Sequence, residues 1–287
     1  MKTLSYETIV ATVSQLCIEC CCHLPDDVLG ALKKAKQNET NPHASKILNQ
    51  LIENAKIAAE QQIPLCQDTG LAVVFLELGA DLKITPPADN AHKNLFDAVN
   101  DGVAQGYEAG LLRKSVVADP LNKRNNTNTN TPAVIHHEIV PGDKLKITLM
   151  AKGGGCENKS QFKMFNPTET KDTVIDWIVD VIKQAGANAC PPFIIGVGIG
   201  GSFEQCCLIS KKALLRQIET HNEDAFYSEM ETELLGRINS LGLGPQGLGG
   251  DTTALAVHIE TVPCHIASLP VAVNIECHAH RHKTAIL

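Results

Sequence analysis

The chain is poor in aromatic side chains, which make up 4% of it with a single tryptophan, and its formal net charge is −7. Together these deficits exclude most nucleic-acid binders, which need a basic stripe for phosphates and aromatic faces for bases. No apolar run approaches the roughly 20 residues that cross a bilayer. The opening Met1-Lys2-Thr3-Leu4-Ser5-Tyr6-Glu7 has an early acid and no apolar h-region, so no secretory leader and a reducing, cytoplasmic location are expected. A small anionic substrate stays compatible with the charge balance where a few local cations outweigh the global field.

What the chain has in quantity is cysteine, with eleven in 287 residues. In a reducing compartment these are thiols, metal ligands or catalytic groups rather than disulfides, and the odd count fits no fully paired framework. Hydrophobic content of 44% and charged content of 20% describe an ordinary globular protein with room for a large core.

The periodicities predict a mixed α/β fold: a helical N-terminal subdomain, then an α/β subdomain with a mixed sheet. Ile9, Val10, Val13, Leu16, Cys17, Cys20 and Cys21 recur at helical spacing. Further helices are expected from Pro25-Asp26-Asp27, over 43–62 and over 90–112, with Leu71–Leu78 a buried strand. The polar run 122–132 reads as a loop, and 116–132 is a candidate subdomain boundary within one domain over 1–287. Beyond it, strands are expected at 144–150, 193–198, 254–259 and 269–275, with helices at 168–185, 203–217 and 223–240.

Most of the cysteines read as packing. Cys17, Cys20, Cys21 and Cys22, followed by His23, look like a zinc cluster, yet successive helical residues point about 100° apart and cannot all face one ion. They read as small hydrophobes on a helix face, as do Cys206 and Cys207. Cys66, Cys190 and Cys277 stand instead in turns, more than 80 residues apart in each interval. That spacing is too wide for a zinc knuckle and fits a site assembled by the fold. Three thiolates are one short of saturating an iron–sulfur cluster, which would leave one iron open for Lewis-acid work. Cys156, after Gly153-Gly154-Gly155, is a rival third ligand. Gly196-Val197-Gly198-Ile199-Gly200-Gly201 matches a dinucleotide-binding pattern, but the helical, charged stretch after the following helix is not the second strand that pattern needs.

Five stretches in order, "PLCQDTG", "AKGGGCENKS", "NACPPFIIGVGIGG", "GLGPQGLGGDTTALAVHIE" and "CHIASLPVAVNIECHAHR", resemble the class I, iron–sulfur fumarate hydratases and the related L(+)-tartrate dehydratases. The resemblance runs from about residue 60 to the C-terminus and is nearer to the separate α subunit of the two-subunit form, since the chain ends soon after the last cysteine motif. It implies a [4Fe-4S] cluster held by Cys66, Cys190 and Cys277, bound by loops between the two subdomains. It also implies substrate binding by Gln67, Arg113 and the Gly155 backbone, proton transfer assisted by Asp68, and a substrate hydrogen bond from His265. The implied activity is reversible hydration of fumarate to L-malate, with dehydration of L(+)-tartrate to oxaloacetate as the alternative. Position 156 departs from the pattern: many single-chain fumarases carry serine there, whereas tartrate dehydratase α chains resemble this one in carrying cysteine. A β subunit with the remaining catalytic residues is expected, in a hetero-oligomer (α2β2). A non-catalytic iron–sulfur or zinc-binding sensor module is the competing reading from another class.

Overall fold

The computed structural model describes residues 2–287. Its helices are α1 (Tyr6–Cys22), α2 (Asp26–Asn38), α3 (Pro42–Gln61), α4 (Leu95–Ala109), α5 (Gly154–Glu157), α6 (Lys171–Ala185), α7 (Phe203–Ala213) and α8 (Ala225–Asn239). The strands are β1 (Lys2–Ser5), β2 (Leu71–Gly79), β3 (Leu82–Thr85), β4 (Val134–Val140), β5 (Leu145–Lys152), β6 (Gln161–Phe165), β7 (Phe193–Gly200), β8 (Ala254–Val262), β9 (Leu269–Glu276) and β10 (His282–Ile286). The mixed α/β class is as expected, with a helical N-terminal region followed by a sheet-containing part. The chain forms two compact units: Met1–Pro25, Ala55–Gly153 and Arg281–Leu287 make the first, and Asp26–Asn54 and Gly154–His280 the second. The expected boundary segment 116–132 lies inside the first unit.

In the first unit, α1 starts where the Ser5 side chain accepts a hydrogen bond from Thr8 N–H, satisfying one orphan donor of the helix end. Its apolar stripe, Ile9, Val13, Leu16, Cys17 and Cys20, is buried in one core with Val99, Val103 and Tyr107 of α4. A reciprocal box between Asn94 and Asp97 starts α4. Beneath them lies a four-stranded sheet ordered β10-β5-β2-β4, with β5 antiparallel to both β10 and β2, and β2 parallel to β4. A small parallel pair, β1 and β3, completes the unit. The stretch Tyr6–Asn38 has the length and apolarity of a membrane-crossing helix, with 44% of its most apolar window buried. The regular helix nonetheless breaks over residues 23–25, and α1 uses its apolar face on the core.

The second unit is built on a sheet ordered β6-β9-β7-β8, in which β7 runs parallel to β8 and antiparallel to β9. One core joins Ile175, Ile178 and Ile182 of α6, Leu234 and Ile238 of α8, and the inward residues of β7, β8 and β9. α7 packs against β7. A Cβ on Gly196 would stand 2.0 Å from Ser210 O, and one on Gly198 2.3 Å from Cys206 O. These two glycines of the nucleotide-like pattern are therefore strand residues that let a helix lie against the sheet, and neither forms a phosphate-binding turn.

Candidate metal and active site

In the first unit, the segment between α3 and β2 carries Cys66, Gln67 and Asp68, and hydrogen bonds to buried groups fix its course. Leu65 N–H donates to Cys21 O at 2.9 Å. Thr69 Oγ1 donates to Arg113 O at 2.9 Å, and Arg113 Nη1 donates to Gln67 Oε1 at 2.7 Å. Arg113 is thus tied at backbone and side chain to the residues next to Cys66, and Cys66, Gln67 and Arg113 are all exposed. Gly70 N–H donates to Asp68 Oδ1 at 3.0 Å. Gly70 has φ +76°, and a Cβ there would meet Lys152 O at 2.6 Å, so the turn into β2 requires glycine.

Behind this segment stand residues that the sequence reading did not single out. The Tyr107 hydroxyl lies 2.9 Å from Thr69 O and 3.1 Å from Gly70 O. Asn130, fully buried, accepts from Ser115 N–H (2.7 Å) and Val116 N–H (3.2 Å) and donates to Gly70 O (3.1 Å). The polar loop 122–132 therefore holds the strand-like stretch after Arg113 against the Asp68 turn. Arg281, 1% exposed, donates from Nη1 to Asp68 O at 2.7 Å. A Cβ on Gly153 would lie 3.6 Å from both Arg281 Nη2 and Asp68 Oδ2, so a buried cation stands near that carboxylate.

In the second unit, Cys190 closes the one-turn 3-10 segment Gly186–Ala189 in the left-handed region, φ 56° and ψ 65°. For a residue with a Cβ that conformation costs on the order of 1 kcal/mol, and the surrounding hydrogen bonds hold it. Cys190 N–H donates to Ala187 O (3.0 Å), and Cys190 O accepts from His278 N–H (3.3 Å). Gln246, in the glycine-rich segment, donates from its backbone N–H (2.8 Å) and its Nε2 (3.1 Å) to Pro191 O. Its Nε2 also lies 3.0 Å from His278 Nδ1. The glycine-rich segment is thus a brace joining the Cys190 turn to the Cys277-His278 turn at the end of β9. Cys156 Sγ points to Ala189 O at 3.5 Å, and Lys211 Nζ fixes the same short helix through Glu157 Oε1 at 2.5 Å. Gly155 packs close to Asn188, to whose carbonyl oxygen a Cβ would come within 3.3 Å. The ligand atoms of Cys156, Glu276 and Cys277 all lie within 4.8 Å of one another.

The structure therefore gathers Cys66, Gln67, Asp68 and Arg113 in one unit, and Cys190, Cys277 and Gly155, with Cys156, in the other. His265 is not with the latter group. It lies in the exposed β8–β9 turn, its Nδ1 accepting from Ala267 N–H at 3.1 Å. Val262 pairs with Gly200 at that end of the sheet, whereas Glu276 pairs with Ile194 at the Cys277 end. Some seven residues of strand, roughly 20 Å, separate the two.

The remaining thiols behave as packing. Cys17, Cys20 and Cys206 are fully buried; burial, aided by the neighbouring thiol, pushes Cys17 well above its ordinary value and Cys206 up to about 12. Cys21 is lowered by the Cys20 thiol hydrogen bond, against burial and with help from Arg281. Among the described residues the α1 cysteines form no metal-donor group. Cys66 is exposed and Cys190 and Cys277 are half-buried on hydrogen-bonded turns, and each is a soft donor of the kind a thiolate-bound metal group takes.

A family model described as Fumarate hydratase (Fumerase) matches residues 10–286. A protein of Methanocaldococcus jannaschii, provisionally named L(+)-tartrate dehydratase subunit alpha, is 39% identical over 273 residues, covering 94% of this chain and 94% of its own. The L(+)-tartrate dehydratase subunit alpha of Escherichia coli K12 is 33% identical over 265 residues, covering 92% of this chain and 86% of its own.

Proposed function

The chain belongs to the fumarate hydratase (Fumerase) family, and from that premise we propose that it is the cluster-binding α subunit of an iron–sulfur hydro-lyase for a small dicarboxylate. Cys66, Cys190 and Cys277 are its assigned ligands to a [4Fe-4S] cluster. When bound, such a cluster supplies a Lewis-acidic iron that polarises a substrate oxygen. The observation that carries the reading is the Arg113–Gln67 pair beside Cys66. A guanidinium has five donors in a planar fork, and with Gln67 fixing one of them the group is oriented for bidentate pairing with a carboxylate. That pairing offsets the dianion's charge in a chain of net charge −7. Asp68, braced by Gly70 N–H, is the assigned proton-transfer group, and the Gly155 backbone a substrate donor. His265, the assigned substrate hydrogen-bond donor, lies at the far end of its sheet from Cys190 and Cys277.

Hydration of fumarate to L-malate is one candidate reaction, supported by the description of the matching family. L(+)-tartrate dehydration to oxaloacetate is the second, carried by the names of the relatives. Hydration forms, and dehydration breaks, one C–O bond beside a carboxylate and one C–H bond on the next carbon, so the same residues serve either. The relatives are named as α subunits, and a β subunit in an α2β2 assembly is the assigned partner. The test is anaerobic assay of both acids with the cluster-loaded chain, alone and co-expressed with its β partner. Turnover is expected from the complex and nearly none from the chain alone. Full turnover by the lone chain would refute the subunit reading, and a fully loaded complex that turns over neither acid would favour a sensor module.

A further inference from the structure

Strand β4 is the outermost strand of the first unit's four-stranded sheet, and among the described residues it pairs only with β2. Ala80 N–H donates to Val140 O at 2.8 Å, just past the register pair Gly79–Val140. Backbone groups alternate sides along a strand, so Val134, His136, Glu138 and Val140 turn theirs toward β2. Ile135, His137 and Ile139 turn theirs outward. An open edge of this kind is a template for another strand, and proteins blunt it with lysine, proline or a bulge. β4 has none of these: its seven residues read VIHHEIV, and its register with β2 is unbroken. Exposed apolar side chains gather around it. Ile139 is 71% exposed, Val134 38%, and Phe96, whose ring meets His137 edge-on, 40%.

The strand's sequence is symmetric about its centre. Reversed about His137, Val134 falls on Val140, Ile135 on Ile139 and His136 on Glu138. A second copy related by a two-fold axis at His137 therefore meets β4 antiparallel, with valine opposite valine, isoleucine opposite isoleucine, and imidazole opposite carboxylate on both sides of the axis. The Ile135–Ile139 and His137–His137 pairs each exchange two main-chain hydrogen bonds. The His136–Glu138 and Val134–Val140 pairs fall at the intervening positions, where side chains of an antiparallel pair stand closest. This pairing adds to the contacts that the side chains make within the chain, the His136 ring 5.1 Å from that of Phe75 among them. We propose that the β4 edge is an interface between two copies of this chain, which join their four-stranded sheets into one through antiparallel β4 strands. It gives the two α subunits of the assembly above a shared surface, and rests on neither the cluster nor the substrate.

The test is sedimentation equilibrium of the full chain under anaerobic reducing conditions. The wild type is expected to be a dimer. Ile139→Lys puts an ammonium group on the open edge and should weaken the dimer on the order of 10²-fold, with the far-ultraviolet circular dichroism unchanged. His136→Glu sets like charges opposite each other and should weaken it on the order of 10-fold. The double variant His136→Glu/Glu138→His exchanges the two partners and should recover the wild-type dissociation constant, which a general loss of stability would not do. A wild type that stays monomeric up to millimolar concentration overturns the proposal. So does a dimer that survives Ile139→Lys unweakened, or a double variant no better than His136→Glu. If a variant fails to fold, hydrogen exchange of the wild type decides. The amides of Ile135, His137 and Ile139 should gain protection as concentration drives dimerisation, and unprotected amides in the dimer overturn the interface. Protection that appears only when the β subunit is added assigns the edge to that partner and overturns the pairing of two copies.

Discussion

Arg113 holds Gln67 with its guanidinium and Thr69 with its carbonyl, so removing its side chain probes substrate binding without touching a thiol. In the reconstituted enzyme, Arg113→Ala should lower kcat/KM by about 10²–10³, the size of a lost charge-assisted contact of about 3–4 kcal/mol, with iron content unchanged. An unaltered kcat/KM would make Arg113 a solvated loop residue. At this scale the three turn cysteines were legible in the sequence, because a thiol beside Gln-Asp-Thr-Gly or before Pro-Pro cannot be a packing residue on a helix. Arg281, Asn130 and Tyr107 were not. A lone arginine near the end of the sequence and an asparagine in a polar run both read as solvated, and their burial depends on strands and loops far away in sequence.

Among the elements, the helices and the inner strands followed their patterns, and the misses were the sheet edges. β4, with the mostly exposed sequence VIHHEIV, and β10, with HKTAI, have no apolar run to announce them, and their pairing with β2 and β5 is settled by tertiary contact. The contact of β7 with α7 gives a sharp stability test. Gly196→Ala places a methyl group 2.0 Å from Ser210 O on α7, and either α7 or β7 must shift. A loss of about 3 kcal/mol or more is expected in urea unfolding, and a variant as stable as the wild type would show that α7 can move off the sheet freely. Strand β8 carries a pH-dependent cost at His258. Burial, then the Arg216 cation, hold its pKa at about 4 against an ordinary 6.5, with Glu231 opposing. Between those values the unfolded chain binds the extra proton. The stabilisation is therefore complete above about pH 6.5 and is lost as pH falls toward 4, by up to about 3 kcal/mol. Thermal melts from pH 7.5 to 4.5 should fall more steeply for the wild type than for His258→Gln. Parallel slopes would contradict this account.

At the scale of the whole molecule, the chain leaves its first unit and returns to it: residues 281–287 close the first sheet through β10 after the second unit has been completed. Composition could not reveal that arrangement, since the polar run 122–132 lies within one unit and, through Asn130, holds the Asp68 turn there. The central proposal takes Cys66 from one unit and Cys190 and Cys277 from the other as cluster ligands. Iron and acid-labile sulfide, counted after anaerobic reconstitution of the wild type and of single cysteine-to-serine variants, test that claim most directly. The account predicts about four irons and four sulfides in the wild type, loss of the cluster in Cys66→Ser, Cys190→Ser and Cys277→Ser, and full content in Cys17→Ser, Cys156→Ser and Cys206→Ser. Full iron and sulfide in Cys277→Ser, with loss in Cys156→Ser, would contradict it.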